Sequence, residues 1–545
     1  MRSGFTALIV ALSACGAGSS AIAGSNSDEP GNHADEPTHE TPIGVDSGPS
    51  SIDPDAPGPQ VSYAAAIQKS SHNSYDRDEP LVDQLVYHRI RSVELDIHVG
   101  KQGESTTDGD WFVYHDDLPL LRNTSCNRLS DCLGQLAAFH RAFPKHEAVT
   151  LWVDLKDGFG AGHTASDLDT MIAKALGRTN VIAPVDLKEQ CAGSTTLRSA
   201  VTGQCSFPTL DELRGKFMIA ITGGSACDAS SYVMTYDGAL AFRAPNFNAG
   251  CTPSNGDDVF VNLSWDDRAQ ATEARSLGLV PRIYKGGIPG GLDSQEDFDG
   301  AIAAGALHAA TDKANAEEDG WATTHDARGY PFRCEGCEGH VELGSIIGLR
   351  ATSGDLWESA DSGYFALVDE NQNANPSADV WTTLASVPSS HTPEFGKACL
   401  VARASDAPGA AYAAACRTSD NNAPRMQVRA SDGAATTTTT APSVSGLGAE
   451  VPAFLRLRVE PANGKTRVTA ETSGDGLTWA KMGTTDLDAA LPLRGLVVSS
   501  HDNVSAKALF ADVRRNGSPL PFSALTKRTA IGAGASGDAF SGVAP

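Results

Sequence analysis

Between residues 61 and 320 short apolar runs alternate with longer mixed segments. Ile90–Val99, Ala148–Leu155, Lys216–Thr222, Val259–Leu263, Val280–Tyr284 and His308–Thr311 are short and apolar, and are predicted as strands. A further strand is expected to end at Ser70-Ser71. Leu133–Phe143 and Ala165–Ala175 have helical character between them. Strand–helix alternation sustained over about 250 residues predicts an α/β fold with a TIM-type (β/α) barrel, here over residues 61–325. The pattern then changes. From 326 to 515 Thr, Val, Ser and Gly fill short alternating runs, and Cys399–Arg403, Met426–Ala430, Phe454–Val459, Lys465–Ala470 and Arg494–Ser499 read as strands of an all-β sandwich. Thr436–Thr440 is expected as a loop, and the Gly/Ala/Ser-rich residues 516–545 as a flexible tail.

Charge narrows the partners. Against 42 basic residues stand 67 acidic ones, a net charge of −25, which lacks the basic footprint nucleic acid requires. Contact with anionic lipid must then be local or bridged by a cation. Residues 1–23 read as a signal peptide: Arg2 precedes an apolar run, Phe5–Leu12, too short to span a bilayer. Leu12-Ser13-Ala14-Cys15-Gly16 resembles the lipobox of bacterial lipoproteins, with Cys15 as the lipidated residue, while Ala21-Ile22-Ala23 offers an ordinary cleavage site. Both readings mean export, to the outer membrane as a lipoprotein or to the extracellular space. Residues 24–60 are acidic and rich in Pro, Gly and Ser, with the composition of a disordered linker. Of 11 cysteines, ten besides Cys15 fall into sequential neighbours. Cys126 with Cys132, Cys191 with Cys205, Cys227 with Cys251, Cys334 with Cys337 and Cys399 with Cys416 would make five local disulfides, one of the connectivities the sequence allows. That fits an oxidising compartment.

Four stretches carry candidate chemistry. Ser70-Ser71-His72-Asn73-Ser74-Tyr75 closes the first strand. In Val93-Glu94-Leu95-Asp96-Ile97-His98, residues two apart share a face, so Glu94 and Asp96 point one way and Val93, Leu95 and Ile97 the other. Two carboxylates directed into a barrel need compensation, and a hard divalent cation supplies it. Trp111-Phe112-Val113-Tyr114-His115-Asp116 delivers an imidazole, and Val149–Lys156 ends in Asp154 and Lys156 on one face. All fall near carboxyl ends of predicted strands, where barrel active sites sit.

In order, SSHNSY, VELD, VYHD and VTLWVD resemble the S-S-H-N-T-Y, V-E-L-D, V-Y-H-G and V-I-L-S-L-E series of eukaryotic phosphoinositide phospholipases C. A related pattern occurs in bacterial calcium-dependent members of the phosphatidylinositol-specific phospholipase C superfamily. The resemblance implies that Asn73, Glu94, Asp96 and Asp154 ligate Ca2+, that His72 stabilises the phosphorane-like transition state and that His115 is the general acid. Glu94 is the carboxylate chosen to accept the nucleophile's proton. Asp154 stands where the family commonly has Glu. Arg282-Ile283-Tyr284 resembles the R-I-Y substrate strand, making Arg282 and Tyr284 candidates for binding substrate, with Lys156 a phosphate ligand or a salt-bridge partner of Asp154. Ala220 and Thr222 stand where the eukaryotic enzymes carry phosphate-binding lysines, which favours an unphosphorylated inositol lipid or another simple diester. The implied reaction is phospholipase C-type cleavage of a phospholipid or other phosphodiester.

Each stretch also has a plainer reading. Arg89 or Arg91 could pair with the VELD carboxylates, and a lone His115 or His98 could be structural. Asp312 at the last strand end is a further, weaker site candidate. Phe454–Val459, Ser473–Trp479 and Gly495–His501 resemble a concanavalin-like or laminin-G-like sandwich, for which a glycan is a possible ligand, with Trp479 read as core. Competing functions are a glycerophosphodiester phosphodiesterase or phospholipase D-like relative, which usually opens with His-Arg-Gly rather than His-Asn-Ser, and a non-catalytic surface-binding protein.

Overall fold

The computed structural model describes residues 57–542 apart from 78, 102–103, 106–108, 117–123, 161, 203–204, 224–238, 246–255, 287–290, 314–319, 325–328, 339, 341–345, 371–377, 389–391, 420–422, 441–453 and 503. Cys15, the signal segment and the linker up to residue 56 lie outside them, as do Cys227 and Cys251.

Among the described residues of the first half, the barrel wall runs through β1 (Ile67–Ser71), β2 (Ser92–His98), β3 (Val149–Leu155), β4 (Phe217–Gly223), β5 (Ala241–Arg243), β6 (Phe260–Ser264), β7 (Val280–Tyr284) and β8 (His308–Thr311). They pair in parallel in the order β6-β7-β8-β1-β2-β3-β4-β5. Chain order thus runs around a ring, and its seam is bridged where the Asn262 N–H of β6 donates to Pro245 O just past β5, at 3.2 Å. This is the expected α/β barrel, with β5 an addition.

Period-two alternation divides each strand. Outward, Val93, Leu95, Ile97, Leu151, Val153, Ile219 and Ile221 share a core with α1 (Leu81–Val86), α2 (Leu129–Ala142) and α3 (Ala165–Leu176). Val261, Leu263, Ile283 and Ala309 pack beneath α4 (Gln270–Ser276) and α5 (Gln295–Ala304). Inward, Trp152, Met218, Ala220, Phe242, Phe260 and Val280 fill the lower barrel with Tyr63 and Phe207. Tyr63 Oη meets Thr150 Oγ1 at 2.6 Å and His308 Nε2 at 2.9 Å. The layer above is polar. Ser70, Glu94, Asn262 and Arg282 are all buried there.

The second half is two antiparallel sheets. One orders Ala480–Leu487, Lys465–Ser473, Phe454–Ala462, Asp379–Ser386, Ala506–Arg515, Ile346–Ala351 and Gly537–Ser541. The other orders Thr437–Thr440, Arg425–Arg429, Tyr412–Thr418, Lys397–Arg403, Leu493–Ser499, Gly363–Asp369 and Lys527–Ile531. Leu349, Trp381, Ala385, Leu400, Ala415, Leu496 and Val498 belong to the core between them.

Two expectations of secondary structure are corrected. Thr437–Thr440 is an edge strand paired with Arg425–Arg429, because a run of β-branched residues suits extended backbone. Lys527–Ile531 and Gly537–Ser541 are edge strands rather than a flexible tail, and the Phe540 ring lies where a side chain on Gly348 would stand. Past residue 325, Phe332–Arg333 pairs antiparallel with β1, and the first sandwich strand begins at Ile346.

The halves are joined by a common core. Ile346, Leu384, Phe454, Leu509 and Ala511 of the sandwich belong to the cluster holding Leu81, Leu85 and Leu133 of the barrel helices. Trp479, half-buried, packs on that cluster, in keeping with its reading as core. Within the contact, Arg417 grips Asp83 through Nη1 to Oδ1 at 2.9 Å and Nη2 to Oδ2 at 2.5 Å, and Ser386 Oγ donates to Oδ1 at 2.7 Å. Disulfides join Cys126 to Cys132, Cys191 to Cys205, Cys334 to Cys337 and Cys399 to Cys416, as the neighbour pairing anticipated. Among the described residues no helix is long and apolar enough to cross a membrane.

Candidate active site at the carboxyl ends of the barrel strands

Beyond β1 the chain turns sharply at Asn73, whose φ of 45° lies in the left-handed region that asparagine tolerates better than most residues. Ser74 secures the turn: its hydroxyl donates to Ser71 O at 2.9 Å and accepts the Glu94 N–H at 2.8 Å. Nothing in the sequence singled Ser74 out. The Asn73 N–H donates to Glu94 Oε2 at 3.0 Å, and Tyr75 Oη donates to Asn73 Oδ1 at 3.3 Å. The His72 N–H bonds Thr311 O of β8 at 2.9 Å, which brings its Nδ1 within 2.8 Å of Asp312 Oδ1. Arg77 Nη1 holds the same oxygen at 3.2 Å. Tyr284 stacks on the His72 ring with centroids 6.3 Å apart.

Across the β2–β3 ladder Asp96 and Asp154 are register partners, so both carboxylates emerge side by side. Lys156 Nζ lies between them, 2.6 Å from Asp154 Oδ2 and 3.0 Å from Asp96 Oδ2, the salt bridge weighed as the plainer reading. Asp96 Oδ1 and Asp154 Oδ1 are buried without a hydrogen-bond partner. Burial, with the neighbouring Asp154 and Glu94 charges, pushes the Asp96 carboxyl up to about 7 in spite of Lys156. Burial by itself would lower the Lys156 ammonium, but Asp96 and Asp154 outweigh it and hold Lys156 well above its ordinary value.

Glu94 is treated differently. Arg282 Nη2 lies 2.5 Å from Glu94 Oε2, while Nη1 donates to Asn262 Oδ1 at 2.9 Å and Nε to Ser70 Oγ at 3.4 Å. Burial raises the Glu94 carboxyl, yet Arg282, His72 and the Asn73 N–H overcome it and bring it down to about 2. Arg282, a candidate for binding substrate, has no exposed surface, and its guanidinium is engaged by this inner network. Ala220 is sealed in the lower core, and Thr222 Oγ1 accepts from Asn262 Nδ2 at 3.2 Å.

His115 follows Phe112–Val113, which pairs antiparallel with the end of β2. His98 braces this segment by bonding Tyr114 O through Nε2 at 3.1 Å and stacking on the Tyr114 ring at 3.9 Å. Half-buried, His115 leaves Nδ1 without a partner. Burial first, then the positive charges of Lys156 and His72, pull it below the ordinary histidine value. The site therefore sets two imidazoles beside three carboxylates, at the barrel end where the four stretches were expected to meet.

Residues 117–243 match the family model of the Ca2+-dependent phosphoinositide phospholipases C. The chain resembles that family. The matched segment holds Asp154 and Lys156, while His72, Asn73, Glu94, Asp96 and His115 precede it. Among solved structures the chain is similar to the calcium-dependent phosphoinositol-specific phospholipase C of a Pseudomonas species, at 22% identity over 51% of this chain and 96% of that one, with a TM-score of 0.42. The corresponding enzyme of Streptomyces antibioticus gives 18% identity, 47% and 96% coverage and a TM-score of 0.37. A glycerophosphodiester phosphodiesterase from Parabacteroides distasonis gives 11%, 47% and 96%, with a TM-score of 0.27. No curated protein matches the chain.

The family implies Ca2+, and the donor set suits it. Asn73, Glu94, Asp96 and Asp154 offer hard amide and carboxylate oxygens, and two buried oxygens, Asp96 Oδ1 and Asp154 Oδ1, have acceptor capacity unused. Among the described residues no three His, Cys, Asp or Glu side chains are grouped to hold a metal ion; Arg282 pairs with Glu94, and Lys156 with Asp96 and Asp154.

Proposed function

We propose that the chain is a calcium-dependent phosphodiesterase that cleaves phosphatidylinositol, or a similar phosphodiester, by phospholipase C-type chemistry. The observation that carries the reading is the placing of His72 and His115 beside Glu94, Asp96 and Asp154 at the carboxyl ends of the barrel strands, with His72 paired to Asp312 at 2.8 Å. Two imidazoles suit a reaction in which one group meets the phosphate and the other protonates a leaving oxygen. The Asp312 carboxylate would orient the His72 ring so that its free ring nitrogen can meet a non-bridging phosphate oxygen as charge develops there.

His115 would supply a proton to the departing diacylglycerol oxygen. Glu94, kept ionised by Arg282, would accept the proton of the inositol 2-hydroxyl as its oxygen bonds phosphorus and the phosphorus–glycerol oxygen bond breaks; its low value limits its basicity. The products are a cyclic inositol phosphate and diacylglycerol. Held by Asn73, Glu94, Asp96 and Asp154, Ca2+ would neutralise phosphate charge and acidify the hydroxyl. The absence of lysines at Ala220 and Thr222 supports a headgroup without ring phosphates.

Phosphorus NMR of products from phosphatidylinositol tests the reading. A cyclic phosphodiester made by the wild type, and by neither His72→Ala nor His115→Ala, supports it. Phosphatidate as the first product would move the chain to phospholipase D-type chemistry and refute it.

A further inference from the structure

Two cations compensate the site's carboxylates, and they are held very differently. Arg282 is wholly buried and committed to Glu94, Asn262 and Ser70. Lys156 stands at the end of β3 with 23% of its side chain exposed, and its ammonium pairs with the two aspartates. An ammonium on a flexible four-carbon stem can withdraw to water with little rearrangement, whereas the pinned guanidinium cannot. Asp96 Oδ1 and Asp154 Oδ1 remain buried without partners, capacity that one ammonium leaves unfilled. Formal charge points the same way. Glu94, Asp96 and Asp154 outnumber Arg282 and Lys156 by one negative charge, and replacing the ammonium with a divalent ion would make the set neutral.

We propose that Lys156 is the resident counter-ion of the cation site, and that Ca2+ enters by displacing its ammonium from Asp96 and Asp154. The inference rests on the calcium reading above and deepens it. Two adjacent carboxylates without compensation, Asp96 buried and Asp154 largely so, would cost the fold heavily, so Lys156 holds the cation-free barrel together and in doing so weakens Ca2+ binding. The residue expected to bind substrate thus sets the cation's affinity.

Calorimetric titration of the full chain with Ca2+, without substrate, tests this. Lys156→Gln should bind Ca2+ about tenfold or more tightly than the wild type, as one buried ion pair no longer has to be broken. Its melting temperature should be lower than the wild type's without Ca2+, and should rise further on adding Ca2+. Should Lys156→Gln fail to fold, Lys156→Arg carries the test: its fork grips both aspartates more firmly and should weaken Ca2+ binding about tenfold. Wild-type binding with affinity unchanged in the variant overturns the competition and leaves the cation site standing. If no form binds Ca2+, the competition and the calcium reading fall together.

Discussion

At the residue scale the chemistry turns on charges held close together. His115 lies below its ordinary value of 6.5 because it is half-buried and faces the positive charges of Lys156 and His72. As the proposed general acid it must carry a proton, so kcat/KM should fall as pH rises through a value below 6.5. His115→Ala should remove that limb and lower kcat by about 10²–10⁴-fold; a pH profile left intact in the variant would assign the limb elsewhere. The shared face of Glu94 and Asp96 was legible in the sequence, since alternation dictates it. Their partners were less so. The register that sets Asp154 beside Asp96 is tertiary, and Asp312 lies 240 residues from the His72 it orients. Arg282 resembled a substrate residue by motif, but its inward place on β7 gave it to Glu94.

Elements deliver these side chains through their ends. β1 stops at Ser71, and the Ser74 hydroxyl ties the turn back to Ser71 O and across to the Glu94 N–H. Ser74→Ala would leave that buried N–H unsatisfied, costing about 1–3 kcal/mol, and would loosen both Asn73 and Glu94. Thermal melting together with kcat measures this, and an unchanged melting point would show that the turn stands without the hydroxyl. Strands with a sustained apolar run were legible in the sequence, and β7 and β8 fall where the run predicts. β5 was not, because three residues are too short to show a period. The edge strands at Thr437–Thr440 and Gly537–Ser541 were masked by small and repeated residues, whose pairing depends on a neighbour and not on their own pattern.

Over the whole molecule the sandwich supports the barrel. Its residues enter the core beneath α1 and α2, and Arg417 neutralises a fully buried Asp83 on α1. Asp83→Ala would strand that guanidinium and should cost roughly 3–5 kcal/mol in denaturant unfolding; a loss below ~1 kcal/mol would mean the halves are only loosely coupled. Neither the shared core nor this ion pair had a sequence signal, because the pair spans 334 residues and the core likewise gathers residues distant in the chain. The central claim is that this barrel, so supported, works as a cation-dependent phosphodiesterase. Its most direct test is turnover of phosphatidylinositol by the purified full chain with Ca2+, after chelation, and after Ca2+ is restored. Release of diacylglycerol that stops on chelation and returns with the cation is the predicted result. Equal release in the presence of chelator, or none with Ca2+, would contradict it.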